Sequence, residues 1–251
     1  MSFHHDVQEA FEVYGYQNPS RYLFSCEHAS NRIPHPLVST LSDQQDILHT
    51  HWAWDIGTKL LVQELVEMAK STAILARFSR LVIDANRNRN RQDLIVPSVE
   101  GKSISFNQNL DEVDVAWRLD SYYNPYHEAF TNMVAQRLQY PDPFLLISVH
   151  SFTPVWKGHV RPMDVGVLFD RYEDTAAQLR EQFVHQGFFT ELNQPYSGKF
   201  GLMYSVAQQG DNFQIPHLEL EFNQAQLCTP ERVRHVAKKV FHALEQLPIP
   251  T

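Results

Sequence analysis

Two histidines stand at the exits of apolar runs, His28 after Tyr22–Cys26 (YLFSC) and His150 after residues 144–149 (FLLISV). Imidazole is the commonest protein ligand for metals. A histidine at a strand end more often serves only as a hydrogen-bonded structural group, so the pair matters because both members occupy equivalent positions. Asn86 and Arg87 follow a third apolar run, residues 81–84. An arginine at such a mouth suits bidentate recognition of a carboxylate, against the ordinary alternative of a surface ion pair. His51 and Asp55 are four residues apart, which puts both on one face if a helix runs through them; otherwise Asp55 caps the helix that follows. In the segment HLELEF, residues 217–222, Glu219 and Glu221 share one face of an extended chain. Two acids on a buried strand need a polar site or an open edge to face. Cys26 directly precedes Glu27 and His28, and a buried thiol is more often inert than nucleophilic.

Positioning these groups requires strands that end together. Tyr22–Cys26 reads as a buried strand emptying into the polar loop 27–31. Over residues 55–70 the apolar positions Ile56, Leu60, Leu61 or Val62, Leu65, Val66 and Ala69 recur with helical period, with Asp55 as N-cap or first-turn acid. Further strands are expected at 72–75, 81–84, 144–149, 165–169 and 217–222, the run 144–149 being a central strand covered on both faces. Helical patterns cover 113–139, broken near Asn124 by Pro125, then 175–186 with Gly187 as C-terminal cap, and a last helix with Thr229 as N-cap and Pro230 at its first position. Residues 88–111 show no period, and so long a loop in a compact domain covers a site or is mobile. Strands alternating with helices predict an α/β fold, a mixed, largely parallel sheet flanked by helices on both faces. Such sheets bind ligands at the carboxyl ends of their strands, where His28, Asn86, Arg87 and His150 would meet.

The 251 residues read as a single domain, 1–251, without repeat or linker. A formal charge of −8, from 21 basic and 29 acidic side chains, repels phosphate, which makes nucleic acid an unlikely partner. No apolar run reaches the roughly 18 residues needed to cross a bilayer. The start MSFHHD has no basic region followed by an apolar one, so no secretory signal is expected. Two cysteines, Cys26 and Cys228, rule out a disulfide framework and fit a reducing, cytoplasmic setting.

Four blocks match a known pattern: Ser25-Cys26-Glu27-His28-Ala29-Ser30-Asn31-Arg32-Ile33-Pro34, Ala53-Trp54-Asp55-Ile56-Gly57, Ser79-Arg80-Leu81-Val82-Ile83-Asp84-Ala85-Asn86-Arg87, and Ser148-Val149-His150-Ser151-Phe152-Thr153-Pro154. In this order, from about Tyr22 to Phe222, the chain resembles the N-formylglutamate amidohydrolase family. The resemblance implies a fold similar to the zinc carboxypeptidases (phosphorylase/hydrolase-like) and hydrolysis of a small N-acyl amino acid, N-formyl-L-glutamate being the named substrate, with one zinc ion. It implies His28 and His150 as zinc ligands, and Asp55 as the third, ahead of Glu27 or His51. Glu221 would be the general base, Arg87 with Asn86 would hold the α-carboxylate of the substrate, and Ser151 would join them as a substrate-binding residue. Family members tied to histidine breakdown carry Pro-His-Ser-Gly where this chain has Glu27-His28-Ala29-Ser30. Carboxypeptidases use His-x-x-Glu, and here Asn31 stands three residues after His28. Two other readings are a metal-free amidohydrolase with Cys26 as nucleophile and His28 as base, and a carboxylate-binding module without turnover.

Overall fold

The computed structural model describes residues 3–16, 19–35, 37–40 and 45–250. In chain order its elements are β1 (Phe3–Val7), β2 (Phe11–Tyr16), β3 (Tyr22–Cys26), α1 (Thr58–Ala69), β4 (Thr72–Ala76), a small hairpin of β5 (Ser98–Val99) and β6 (Lys102–Ser103), α2 (Glu112–Arg118) and α3 (Asn124–Arg137). Then follow β7 (Leu145–Phe152), a second hairpin of β8 (Val155–Trp156) and β9 (His159–Val160), β10 (Val165–Leu168), α4 (Glu173–His185), β11 (Thr190–Leu192), α5 (Tyr204–Phe213), β12 (His217–Asn223) and α6 (Pro230–Glu245). Eight strands form one sheet in the order β1-β2-β4-β3-β7-β12-β10-β11. The four central strands β4, β3, β7 and β12 are parallel neighbours. Antiparallel pairings attach β10 on one side and β2 with β1 on the other, and β11 runs parallel to β10.

Every residue of β7 and β12 is buried, so both faces of the sheet centre are covered. Side chains alternate between the faces. Phe24 and Cys26, Ile147 and Val149, and Leu220 and Phe222 pack against α1, α4 and α6. The alternate residues Leu23 and Leu146 pack, with Ile74, against α3 and α5. On that second face the strand residues turn polar toward their carboxyl ends: Ser25, then Ser148 and His150, then Glu219 and Glu221, all buried.

Three expectations are corrected. Residues 81–84 do not form a strand: Leu81, Val82 and Ile83 are buried, but Ser79 ties the segment into turns, its hydroxyl accepting from the Leu81 N–H and its carbonyl from the Val82 N–H. The carbonyls of Leu81 and Val82 accept from Asn107 Nδ2 and Arg118 Nη1, both at 2.8 Å, instead of from a neighbouring strand. The first helix begins at Thr58 behind Gly57, not at Asp55, so His51 and Asp55 lie in turns and share no helical face. Gly57 has φ +88°, and a Cβ there would meet Leu227 Cβ at 2.5 Å, so only glycine makes this turn.

Residues 88–111 cover the site, contributing Asp93, Val96, Ser98 and Val99 to its wall. Their anchor is Arg118, buried, whose guanidinium also donates to Asn107 Oδ1 and Phe106 O. Pro125 sits in the first turn of α3, and a π-helical turn over Leu119–Tyr123 joins α2 to it, which takes up the break that the proline imposes.

Candidate metal centre and active site

His28 leaves the end of β3, His150 lies inside β7, and Asp55 sits in the turn before α1. All three are buried, and the structure brings them together as one group able to hold a metal. The two Nδ1 atoms stand 3.0 Å apart, and Asp55 Oδ2 lies 2.8 Å from His150 Nδ1 and 3.4 Å from His28 Nδ1. Zinc bonds of about 2.0–2.2 Å at tetrahedral angles separate ligand atoms by about 3.3 Å, so the triangle has the right size. Backbone geometry fixes Asp55: its N–H donates to His28 O, its carbonyl accepts from Thr58 Oγ1, and the Ser151 N–H donates to its Oδ2.

The far nitrogen of each ring is held by a carboxylate. His28 Nε2 donates to Asp84 Oδ1 at 2.7 Å and His150 Nε2 to Glu27 Oε2 at 3.0 Å. This commits the Nε2 protons and leaves Nδ1 of both rings facing the common point, the arrangement that orients metal-binding imidazoles. Glu27 therefore supports His150 from behind and is itself held by Ser148 Oγ at 2.6 Å and the Tyr126 hydroxyl at 2.9 Å. Glu219 accepts from Asn86 Nδ2 at 3.1 Å. Asn86 spends its remaining capacity on Leu202 O and the Ser205 N–H, which fastens the start of α5 over the site.

Burial opposes ionisation of every carboxylate here, but the partners decide. Hydrogen bonds and charge from His150 hold Glu27 well below the usual range, and Arg80 with the histidines does the same for Asp55. His28, Arg87 and Arg80 hold Asp84 low. His150, despite burial, is pushed well up by Glu219, Asp55 and Glu27. Glu221 goes the other way: burial, then the charges of Asp55 and Glu219, raise it well above the ordinary carboxyl range. Its Oε2 is buried without a hydrogen-bond partner among the described residues. Since Glu221 pairs with His150 in the sheet register, it stands beside the candidate ligand group on the same face.

His28, Asp55, Asp84, His150, Glu219 and Glu221 line a cavity of about 310 Å³, together with Arg80, Arg87, Asn86, Ser151, His51, Trp52, Trp156 and Tyr196. Arg80 reaches Asp55 Oδ1 at 3.2 Å and points Nη2 at His28 Nδ1, 2.6 Å away. Arg87 is engaged by Asp93 Oδ2 at 3.0 Å and lies 4.0 Å from Asp84. Ser151, one residue after His150, faces the opposite side of the sheet: its hydroxyl donates to Ile56 O and accepts from Gln224 Nε2. Cys26 also faces that side. Its thiol donates to Thr58 Oγ1 in the α1 layer and is pushed up to about 12 by burial, which leaves it out of the cavity and unfit as a nucleophile. His51 lines the cavity but lies outside the ligand group.

Asp84, Arg80 and Glu219 escaped the sequence reading as site residues, and Glu27 appeared only as a weaker ligand. A signal existed for the first two: Arg80 and Asp84 flank an apolar triplet and precede Asn86-Arg87 in the third block. For Glu219 the signal was its place on the Glu221 face.

The family model described as N-formylglutamate amidohydrolase matches residues 20–228. No curated protein matches the chain. Among solved structures, the gene product Atu2144 from Agrobacterium tumefaciens is 26% identical, covers 95% of this chain and 96% of its own, and superposes with a TM-score of 0.88. The N-formylglutamate amidohydrolase from Ralstonia eutropha is 15% identical over 94% of this chain and 96% of its own, with a TM-score of 0.75. A metallo-carboxypeptidase from Burkholderia cenocepacia aligns at 11% identity over 94% of this chain and 60% of its own, with a TM-score of 0.39. A match spanning most of the chain, including every block that builds the metal-ligand group, is decisive: the chain belongs to the N-formylglutamate amidohydrolase family.

Proposed function

We propose that the chain, acting as one catalytic domain, hydrolyses the amide bond of a small N-acyl amino acid, N-formyl-L-glutamate and water giving formate and L-glutamate. In this reading one zinc ion is held by His28 Nδ1, His150 Nδ1 and Asp55. The observation that carries it is the commitment of both Nε2 protons to carboxylates, which turns two Nδ1 atoms and Asp55 Oδ2 toward one point beside the unpartnered Glu221. Bound zinc supplies Lewis acidity toward the acyl oxygen and lowers the pKa of water to about 7. Glu221 takes a proton from the attacking water as its oxygen bonds to the acyl carbon. When the carbon–nitrogen bond breaks, Glu221 returns that proton to the leaving amine. Burial and the neighbouring carboxylates raise its pKa, which suits return of the proton to the amine, and the charge of a bound ion would lower it toward the range a base needs.

Arg80, beside the ligand group, counters negative charge on the acyl oxygen. Arg87 holds the α-carboxylate, Asn86 serves beside it by fastening the start of α5 over the site, and Ser151 serves the site by fixing Asp55 through its backbone N–H. The buried Cys26 and exposed Cys228, both unpaired, support a cytoplasmic setting. The test is zinc content of the purified protein together with formate release from N-formyl-L-glutamate, with and without chelator. Stoichiometric zinc and chelator-sensitive release are expected. Release that survives complete metal removal rejects the mechanism, and zinc without release rejects the substrate.

A further inference from the structure

The polar groups around the cavity differ in how they are satisfied. Arg87 and Arg80 are each paired with acids of the chain. Around Trp156, whose ring centroid lies 6.0 Å from that of His51, 5.6 Å from that of Trp52 and 5.3 Å from the Arg161 guanidinium, His51 Nε2, Trp52 Nε1 and Arg161 Nη1, with Thr153 Oγ1 of the same cavity wall, are all buried without a hydrogen-bond partner among the described residues. Buried polar atoms left unpaired cost about 1–3 kcal/mol each, so a cluster of four beside a cavity is the signature of a ligand that completes it. Each of the four can donate, which fits an acceptor-only group, an ionised carboxylate.

Arg161 supplies the charge. Its guanidinium lies 5.3 Å from the Trp156 ring centroid, 5.5 Å from Tyr196 and 5.7 Å from Phe152, three rings that line the cavity. It hydrogen-bonds Tyr196 and has no ion pair among the described residues. It follows directly on the β8–β9 hairpin, and its backbone is fixed there: its N–H donates to Pro154 O and its carbonyl accepts from Asn223 Nδ2.

We infer that Arg161, with His51, Trp52 and Thr153, forms a subsite for a second carboxylate of the substrate, that of the amino-acid side chain. The inference rests on the amidohydrolase reading of the cavity and assigns what that reading leaves open, the residue that selects an acidic side chain. Arg161 is a specificity residue, separate from Arg87, which takes the α-carboxylate.

The test compares zinc-loaded wild type, Arg161→Gln and Arg161→Lys on N-formyl-L-glutamate and on N-formyl-L-glutamine, which has the same shape and a neutral side chain. Wild type should favour the glutamate substrate by roughly 100-fold in kcat/KM. Arg161→Gln should erase the preference through KM for that substrate, costing the glutamine substrate far less, and Arg161→Lys should restore part of it. Equal losses on both substrates, or an intact preference, overturn the assignment. If wild type turns over neither substrate, calorimetric titration with glutarate decides. Binding to wild type that is lost in Arg161→Gln upholds the subsite although the substrate proposal has failed. Binding equal in the two proteins, or no binding at all, removes the subsite.

Discussion

Each side chain of the site has a job that its neighbours define, and the jobs separate on substitution. On the proposed mechanism His150→Ala removes a ligand, and protein purified with this change should lack zinc and turnover alike. Glu221→Gln leaves the ligand triangle whole; zinc content by elemental analysis should stay stoichiometric while kcat falls by about 10²–10⁴-fold, the usual contribution of a general base. An active Glu221→Gln protein would move the base elsewhere, with Glu219 next in line. Away from the site, His127 on α3 is buried among Tyr123, Tyr126 and Tyr204; burial lowers it to about 4 although Ala85 O accepts its Nε2–H. The unfolded chain, with an ordinary value near 6.5, binds that proton first as acid is added. Its contribution is therefore fully present above about pH 6.5 and is lost as the pH falls toward 4, about 3 kcal/mol in all. Urea unfolding at pH 7 and pH 4.5 should show this loss, and His127→Gln should flatten it.

At the level of elements, the turn 51–57 is where sequence patterning and structure part. A helical period beginning at Ile56 made Asp55 look like a cap, yet the left-handed Gly57 breaks the chain and turns Asp55 into the site. Gly57→Ala pits a Cβ against Leu227 at an unfavourable φ; a loss of several kcal/mol of stability is expected, together with weakened zinc affinity measured by competition with a chromogenic chelator. Unchanged affinity would mean that Asp55 is placed by Ser151 and Thr58 alone. Strands β3, β7 and β12 and helices α1, α4 and α6 were legible because continuous apolar runs, a helical stripe, Gly187 and the Thr229-Pro230 cap each force one local answer. Residues 81–83 have the same apolar character as those strands but bury it under side-chain donors from Asn107 and Arg118, partners that lie 26 and 36 residues away. The β1–β2 ribbon and α5 went unread: His4, His5 and Asp6 mask the first, and Gln208, Gln209, Gly210 and Asn212 mask the second. Asp84 and Glu27 were hidden as site residues for a similar reason, since their meaning depends on imidazoles reached only through tertiary contact.

The whole molecule gathers acids at one point: Glu27, Asp55, Asp84, Glu219 and Glu221 stand around two histidines beside one cavity. Binding an ion there stabilises the folded chain by mass action, about 2.7 kcal/mol at a free zinc concentration of 100 times Kd. For a chain of this size that is a rise in Tm of roughly 5–10 °C, which scanning calorimetry of stripped and zinc-loaded protein should show; equal melting would say that the ligand triangle does not close on metal. The triangle also sets an order of events. His28 and His150 are 122 residues apart and Asp55 lies 95 from His150, so no local stretch of chain presents more than a fragment of the site. Such distant contacts pay their loop-closure entropy before they form. On the metal-dependent reading proposed above, an ion bound there is therefore no early template for folding: high-affinity capture has to wait until β3 and β7 have paired, and a nascent chain remains a poor competitor for zinc until synthesis has passed His150.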